Sequence, residues 1–331
     1  MDSKRMIVGV DFVFIQFHSN PLTSPAASSF CVARNKMPSS LLGDIRNELV
    51  ASWDEQLPKK NDWYGYTPHI VDGSKLDLPR SMLNKGFPTQ TGGHMPQGLL
   101  SVLLRVEDRM VMDLSLSSDW DERAQAHKFL DNLNGRDLVI YDRGYLSFNL
   151  IVDHRLHGVA AVFRVQKGKV FKEIDEAWKS SKDDMVVTLS PSAPTIAKAK
   201  KRFSSTDMSS VQLRLIKYRI ENEDYMLATT IMDPSISPSD FIALYRSRWL
   251  IEEYLKNYKR TMEIEDFHSK SLNGIEQELH AAGLLWNITM YIEQIVPENS
   301  KKRRSLPKNI TLPEQLPTGC LLFKSEHPSI V

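Results

Sequence analysis

Apolar runs of strand length alternate with amphipathic runs of helix length through the first half of this chain, and that order constrains its fold more than any other feature. HIVDGSKLDL at 69–78, LLSVLLRV at 99–106 and RMVMDLSLS at 109–117 read as strands. The last two are separated by Glu107 and Asp108, so they form a hairpin, although its turn lacks glycine. DERAQAHKFLDNL at 121–133 reads as a helix with an acidic first turn. DLVIYDRGY at 137–145 is apolar enough for a strand covered on both faces, and a glycine turn closes it. LSFNLIVDHRLHG at 146–158 is a helix ending on glycine, and VAAVFRV is another buried strand. Residues 166–210 change character and become rich in Lys, Ser and Asp, with KAKKR at 198–202. VQLRLIKYRI at 211–220 then alternates cleanly and forms a second hairpin with EDYMLATTI. Two long helices follow, at 237–260, with Ser237 at the cap and Pro238 in the first turn, and at 274–296. Upstream, residues 37–57 read as a helix capped by Ser39 or Ser40, with Leu41, Leu42, Ile45, Leu49 and Trp53 at helical spacing. Residues 1–36 lack clear periodicity. Strands alternating with helices, then a β-rich stretch, then two long helices make a mixed α/β protein with an insertion.

Composition narrows the class. At 331 residues the chain is about two domain equivalents. Its 41% hydrophobic and 25% charged residues are ordinary for a globular core and exclude global disorder. Lys plus Arg is 42 against 41 for Asp plus Glu, so any DNA-binding surface must come from local clustering rather than net charge. No run of 18 apolar residues offers a membrane span. Residues 4–17, KRMIVGVDFVFIQF, imitate a signal peptide, but Asp11 inside the apolar run argues against export. Cys31 and Cys320 read as reduced thiols, which gives a cytoplasmic protein. The histidines show no H-x3-H spacing and there is no P-loop, so neither zinc nor a nucleotide cofactor is expected.

Chemistry concentrates in three segments. On a helix over 237–260, Tyr245, Arg248, Glu252 and Lys259 stand at offsets of 3, 4 and 7, which at about 100° per residue puts them in one sector of roughly 60°. Leu244, Ile251, Leu255, Tyr258 and Met262 form the neighbouring apolar stripe. Alone, Arg248 and Glu252 would be an ordinary surface pair. Two aspartates change that reading. Asp72 in HIVDGS and Asp142 in VIYDRG lie at or near the ends of apolar strands, beside glycine turns. Turn capping explains one such aspartate. A strand end opening on a cleft is also where α/β folds place function. Two strand-borne aspartates and a helix-borne glutamate supply three hard oxygen ligands, suited to Mg²⁺ or Mn²⁺. Two such ions can clamp a phosphodiester. Arg248 and Lys259 would bind flanking phosphates, and Tyr245 would stack or donate a hydrogen bond. Asp113, Asp119 and Asp121 read as surface or cap residues.

Tyr-x2-Arg-x3-Glu-x6-Lys, as YRSRWLIEEYLKNYK, matches letter for letter the YREK signature of DDE transposases of insertion sequence family four. IVDGSKLDLP resembles the first-aspartate segment of that family and DLVIYDRGY its second. MLATTIMDP before the signature and HSKSLNGIEQELHAAGLLWN after it are similar too. The resemblance covers roughly residues 28–295. It implies an RNase H-like mixed sheet flanked by helices, with Asp72, Asp142 and Glu252 as catalytic metal ligands. It implies a β-rich insertion between the second Asp and the Glu. The corresponding division is a partly helical N-terminal remnant at 1–60, a first part of the core at 61–164, the insertion at 165–232, a helical second part at 233–296 and a basic tail at 297–331. The activity implied is Mg²⁺- or Mn²⁺-dependent cleavage, through two ions, at the ends of a mobile element, then strand transfer into target DNA. Tyr245, Arg248 and Lys259 would hold terminal phosphates. Trp249 also fits the family's DNA-binding set, although an ordinary core or half-buried aromatic is the other reading. Partners implied are double-stranded DNA, as terminal inverted repeats and target, and a second copy in a homodimeric synaptic complex. The setting implied is a bacterial cytoplasm, with the protein associated with the nucleoid. Only about 70 residues precede Asp72, without a helix-turn-helix, so the start is read as truncated. The rival readings are a metal-dependent nuclease or resolvase on the same core, and a truncated, non-catalytic DNA-binding or inhibitory copy.

Overall fold

The computed structural model describes residues 27–56, 63–168, 171–199, 202–204, 207–261 and 266–295. Most of the N-terminal 36 residues, part of KAKKR and the basic tail with KKRR and Cys320 lie outside these. Helices α1 (Ala27–Lys36) and α2 (Ser40–Gln56) precede three strands, β1 (Thr67–Asp77), β2 (Gln97–Arg105) and β3 (Val111–Ser117). Then come α3 (Glu122–Phe129), β4 (Asp137–Tyr141), α4 (Phe148–His157) and β5 (Ala160–Arg164). The stretch α5 (Lys172–Lys179), β6 (Asp184–Leu189), α6 (Ala193–Ala199), β7 (Val211–Ile220) and β8 (Glu223–Thr229) follows. Helices α7 (Pro238–Arg246), α8 (Trp249–Thr261) and α9 (Leu272–Ile295) complete the fold.

Among the described residues, eight strands form one sheet in the order β3-β2-β1-β4-β5-β8-β7-β6. The pairs β1–β4 and β4–β5 are parallel and the others antiparallel. Parallel neighbours need a crossover, and α4 supplies it between β4 and β5. This is the mixed sheet flanked by helices expected of an RNase H-like core. The hairpin β7–β8 and strand β6 continue the sheet beyond β5, through antiparallel pairing of β5 with β8. Within residues 166–210, expected to belong to a β-rich insertion at 165–232, the described residues form the helices α5 and α6 as well as β6.

The central strands are apolar on both faces because both faces are covered. Ile70, Val102, Ile140 and Val162 pack on one side with Phe241, Leu244, Ile251, Tyr254, Tyr258 and Leu279 of α7, α8 and α9. Val71, Val139, Tyr141 and Phe163 pack on the other with Ala126, Phe129, Ile151 and Ile174 of α3, α4 and α5.

Several helices depart from their sequence reading. Helix α1 forms where no periodicity marks one. Its Arg34 is held by Gln277 Oε1 at 3.0 Å, Glu278 Oε1 at 2.8 Å and the Gly274 carbonyl at 3.1 Å, all on α9. Helix α2 buries Gly43, Arg46, Val50 and Trp53, while Leu41 and Ile45 are exposed. The single helix expected over 237–260 is two. Around Ser247 and Arg248 the backbone tightens to i→i−3 bonds, from Ser247 to Leu244, Arg248 to Tyr245, Leu250 to Ser247 and Ile251 to Arg248. The Ser247 hydroxyl donates to the Leu244 carbonyl at 2.6 Å, which competes with continued α-helix.

Candidate active site

The register of the central strands aligns the two strand-borne aspartates. Ile70 of β1 pairs with Ile140 of β4, and each aspartate lies two residues further on: Asp72 inside β1, where it pairs with Val102 and Gly73 continues the strand instead of turning, and Asp142 just past the end of β4. In extended chain a two-residue step keeps the face. Asp72 and Asp142 are therefore neighbours on the side of the sheet where Ile70 and Ile140 meet α7 and α8.

Three of the four signature side chains reach this point or its margin by separate routes. The Tyr245 hydroxyl, from the last turn of α7, donates to Asp142 Oδ1 at 3.3 Å. Burial raises its pKa. Arg248, in the tight turn between α7 and α8, lies 3.9 Å from Asp72 Oδ2 and bonds Glu252 four residues on. Its guanidinium thus links a strand-borne and a helix-borne carboxylate. Lys259 donates to the Lys75 carbonyl at 2.6 Å and ties the far part of α8 to β1. Trp249 is 54% exposed, so it is not a core aromatic. Because α7 and α8 are separate helices, the four do not form one straight strip; the turn at Arg248 is what directs its guanidinium toward β1.

Asp72 is held well above its ordinary value of 3.8, at about 6, chiefly because β1 buries it. Glu122 and Asp142 add repulsion, against the Gly73 N–H and Arg248, which favour the charge. The Gly73 N–H donates to Asp72 Oδ1 at 2.9 Å. Glu122, the first residue of α3, also has a raised pKa, from burial and from Asp142, opposed by Lys75 and Arg123. Sequence reasoning missed it. Glu122 comes from the opposite helical layer, so no spacing relates it to the aspartates, and an acid in the first turn of a helix is commonplace. Sequence reasoning also passed over Tyr145, although it lies only three residues after Asp142 in the same turn; its buried hydroxyl has no hydrogen-bond partner, and Glu122, Asp72 and Asp142 are among the charges around it.

Clustered carboxylates repel one another, and a hard divalent cation relieves that repulsion. Among the described residues no three metal-ligating side chains already converge as a cage. Asp72, Asp142 and Glu122 have the donor chemistry for such an ion, and the orphaned Tyr145 hydroxyl is a polar atom without a protein partner beside them. No helix among the described residues is long and apolar enough to cross a membrane.

A family model described as "Transposase DDE domain" matches residues 63–288, about two thirds of the chain, spanning both aspartates and the signature. Among solved structures, a piggyBac transposase synaptic complex with hairpin DNA is similar, with a TM-score of 0.44 and 11% identity over 73% of this chain. The match takes in 50% of that transposase chain, so the present chain spans about half its length. No curated protein matches the chain in sequence.

Proposed function

The chain belongs to the transposase DDE domain family, and from that premise we propose that it is a DNA transposase of the insertion sequence family four type, cutting at the ends of a mobile element and joining them to target DNA. The observation that supports this most is the meeting of Asp72 and Asp142, from neighbouring parallel strands, with Tyr245 and Arg248 from the signature segment. Asp72, Asp142 and Glu252 are the proposed ligands of Mg²⁺ or Mn²⁺, two ions in all. Such ions, when bound, supply Lewis-acid stabilisation of phosphodiester oxygens and lower the pKa of a bound water or 3′-hydroxyl. Tyr245 orients Asp142 through its hydroxyl. Arg248 neutralises Asp72 and Glu252 and offers its remaining donors to a DNA phosphate. Lys259 flanks the same end of β1 as a second phosphate partner, and the exposed Trp249 presents a face on which a base can stack. Phosphoryl transfer of this kind leaves little covalent work for the protein, which contributes positioning and electrostatics. Double-stranded DNA is the proposed partner, with two copies of the chain acting across paired ends.

The test is a gel-shift and single-turnover cleavage series on end DNA. Glu252→Gln keeps side-chain size and removes one negative charge, so DNA binding persists or tightens while cleavage collapses. Cleavage near the wild-type rate removes Glu252 from the site. A strand-transfer assay with pre-cut ends completes the test: cutting without joining favours a nuclease on the same core. No activity, together with inhibition of a full-length relative, favours a non-catalytic copy.

A further inference from the structure

Glu122 stands between β1, at Gly73, and the turn that follows β4, at Gly144. A methyl group placed on Gly73, the residue after Asp72, would lie 3.4 Å from Glu122 Cγ and from its Oε1. One placed on Gly144, two residues after Asp142, would lie 3.8 Å from its Oε2. The two carboxylate oxygens therefore face the residue after Asp72, within β1, and the turn that follows Asp142. The arrangement is pinned from the next residue, since Arg123 Nε donates to the Gly144 carbonyl at 2.7 Å.

Capping does not explain this position. Asp121 already caps α3, accepting from the Ala124 N–H at 3.1 Å. Glu122 could turn to solvent, away from Asp142; instead it is half-buried between two glycines whose missing side chains leave it room. The second observation is independent of the acids. Tyr145 is 1% exposed, its hydroxyl has no hydrogen-bond partner, and Glu122, Asp72 and Asp142 are among the groups acting on it. A buried hydroxyl left without a partner in such surroundings points to an occupant that supplies an oxygen.

We propose that Glu122 is a further carboxylate of the divalent-cation site built on Asp72 and Asp142, with the Tyr145 hydroxyl as its buried hydrogen-bond donor. The proposal rests on the metal-dependent reading of the site and adds to it a ligand from the opposite helical layer. The cation would thereby join α3, β1 and β4, a connection independent of the signature segment.

Mn²⁺ binding to the full chain, without DNA, tests this by titration calorimetry and by the Mn²⁺-dependent rise in Tm. Glu122→Gln weakens Mn²⁺ binding by about tenfold or more and shrinks the Mn²⁺-dependent rise in Tm, while the metal-free Tm holds or increases because a repulsion is removed. Tyr145→Phe produces a smaller loss of affinity in the same direction. Glu122→Asp, which keeps the charge and safeguards folding, falls between wild type and Glu122→Gln. Wild-type affinity in Glu122→Gln or Glu122→Asp, alongside a clear loss in Asp142→Asn, overturns the proposal and leaves the metal-dependent reading standing. Absence of Mn²⁺ binding to the wild-type chain, or equal binding in Asp142→Asn, overturns both.

Discussion

Asp72 keeps its proton to higher pH than an ordinary aspartate because β1 buries it among other acids, and this has a cost for the metal-free protein. Below about pH 4 the residue is protonated whether the chain is folded or not. As pH rises from 3.8 to about 6, the unfolded chain loses that proton while the folded chain retains it. The folded state then binds more protons, so stability falls across this window and stays lower above it. A rise of this size corresponds to roughly 2–3 kcal/mol. Urea unfolding in EDTA across pH 3.5–7.5 should show this fall in the wild type, relative to Asp72→Asn. Above pH 6 the Asn variant should be the more stable protein. Parallel pH profiles for the two would mean that Asp72 is solvated rather than buried. The site is thus strained by its own charges in the metal-free state, and Glu122 contributes to that strain without having been marked by any motif.

The helical elements show how tertiary partners override pattern. Between β2 and β3 the register shifts at Leu103 and Leu104, so that Leu104 pairs with Val111 and Leu103 with Asp113. Met112 is the extra residue, and two helices satisfy the backbone there. Asn287 of α9 accepts from the Val111 N–H at 2.7 Å and donates to the Val111 carbonyl at 2.8 Å, imitating a neighbouring strand. Arg46 of α2 donates to the Met112 carbonyl at 3.1 Å and lies 3.5 Å from Asp113. This is why α2 turns Arg46 inward and leaves Leu41 and Ile45 in solvent: a buried bulge demands donors more than the core demands another leucine. Asn287→Leu fills similar volume but orphans two buried backbone groups. It should cost roughly 2–4 kcal/mol in equilibrium denaturation. A cost under about 0.5 kcal/mol would mean that water reaches the bulge. The break between α7 and α8 belongs to the same class, since one serine hydroxyl and a tight turn decide where Arg248 points.

At the scale of the molecule, among the described residues, helices cover both faces of the sheet at its centre but not at its β6 edge. In β6, Asp184, Val186 and Thr188 are exposed, and Val186 is 54% exposed. Central strands β1 and β4 pair on both sides and are buried through most of their length. Amide hydrogen exchange by mass spectrometry should therefore show β6 exchanging well before β1 and β4. Equal protection would indicate that a partner covers the β6 edge in solution.

The strands carrying Asp72 and Asp142 are legible in the amino-acid sequence because a strand buried on both faces must be apolar throughout. An acid within such a strand, as Asp72 is, or just past its end, as Asp142 is, then stands out. The signature residues are legible because they recur at helical spacing within one segment. The order of strands and helices is equally local, and it determines a mixed α/β fold. Helix α1 is different: its Arg34 finds its partners some 240 residues away on α9, and such a pairing leaves no periodicity. Glu122 and Tyr145 are different as well. Glu122 meets the aspartates only after β1 and β4 pair in parallel and α3 docks on the far face, and Tyr145, local to Asp142, is brought near Asp72 only by that pairing. Local sequence determines which elements form and which side chains share an element. Contacts between elements arise from docking, so only the tertiary structure decides which carboxylates share one site.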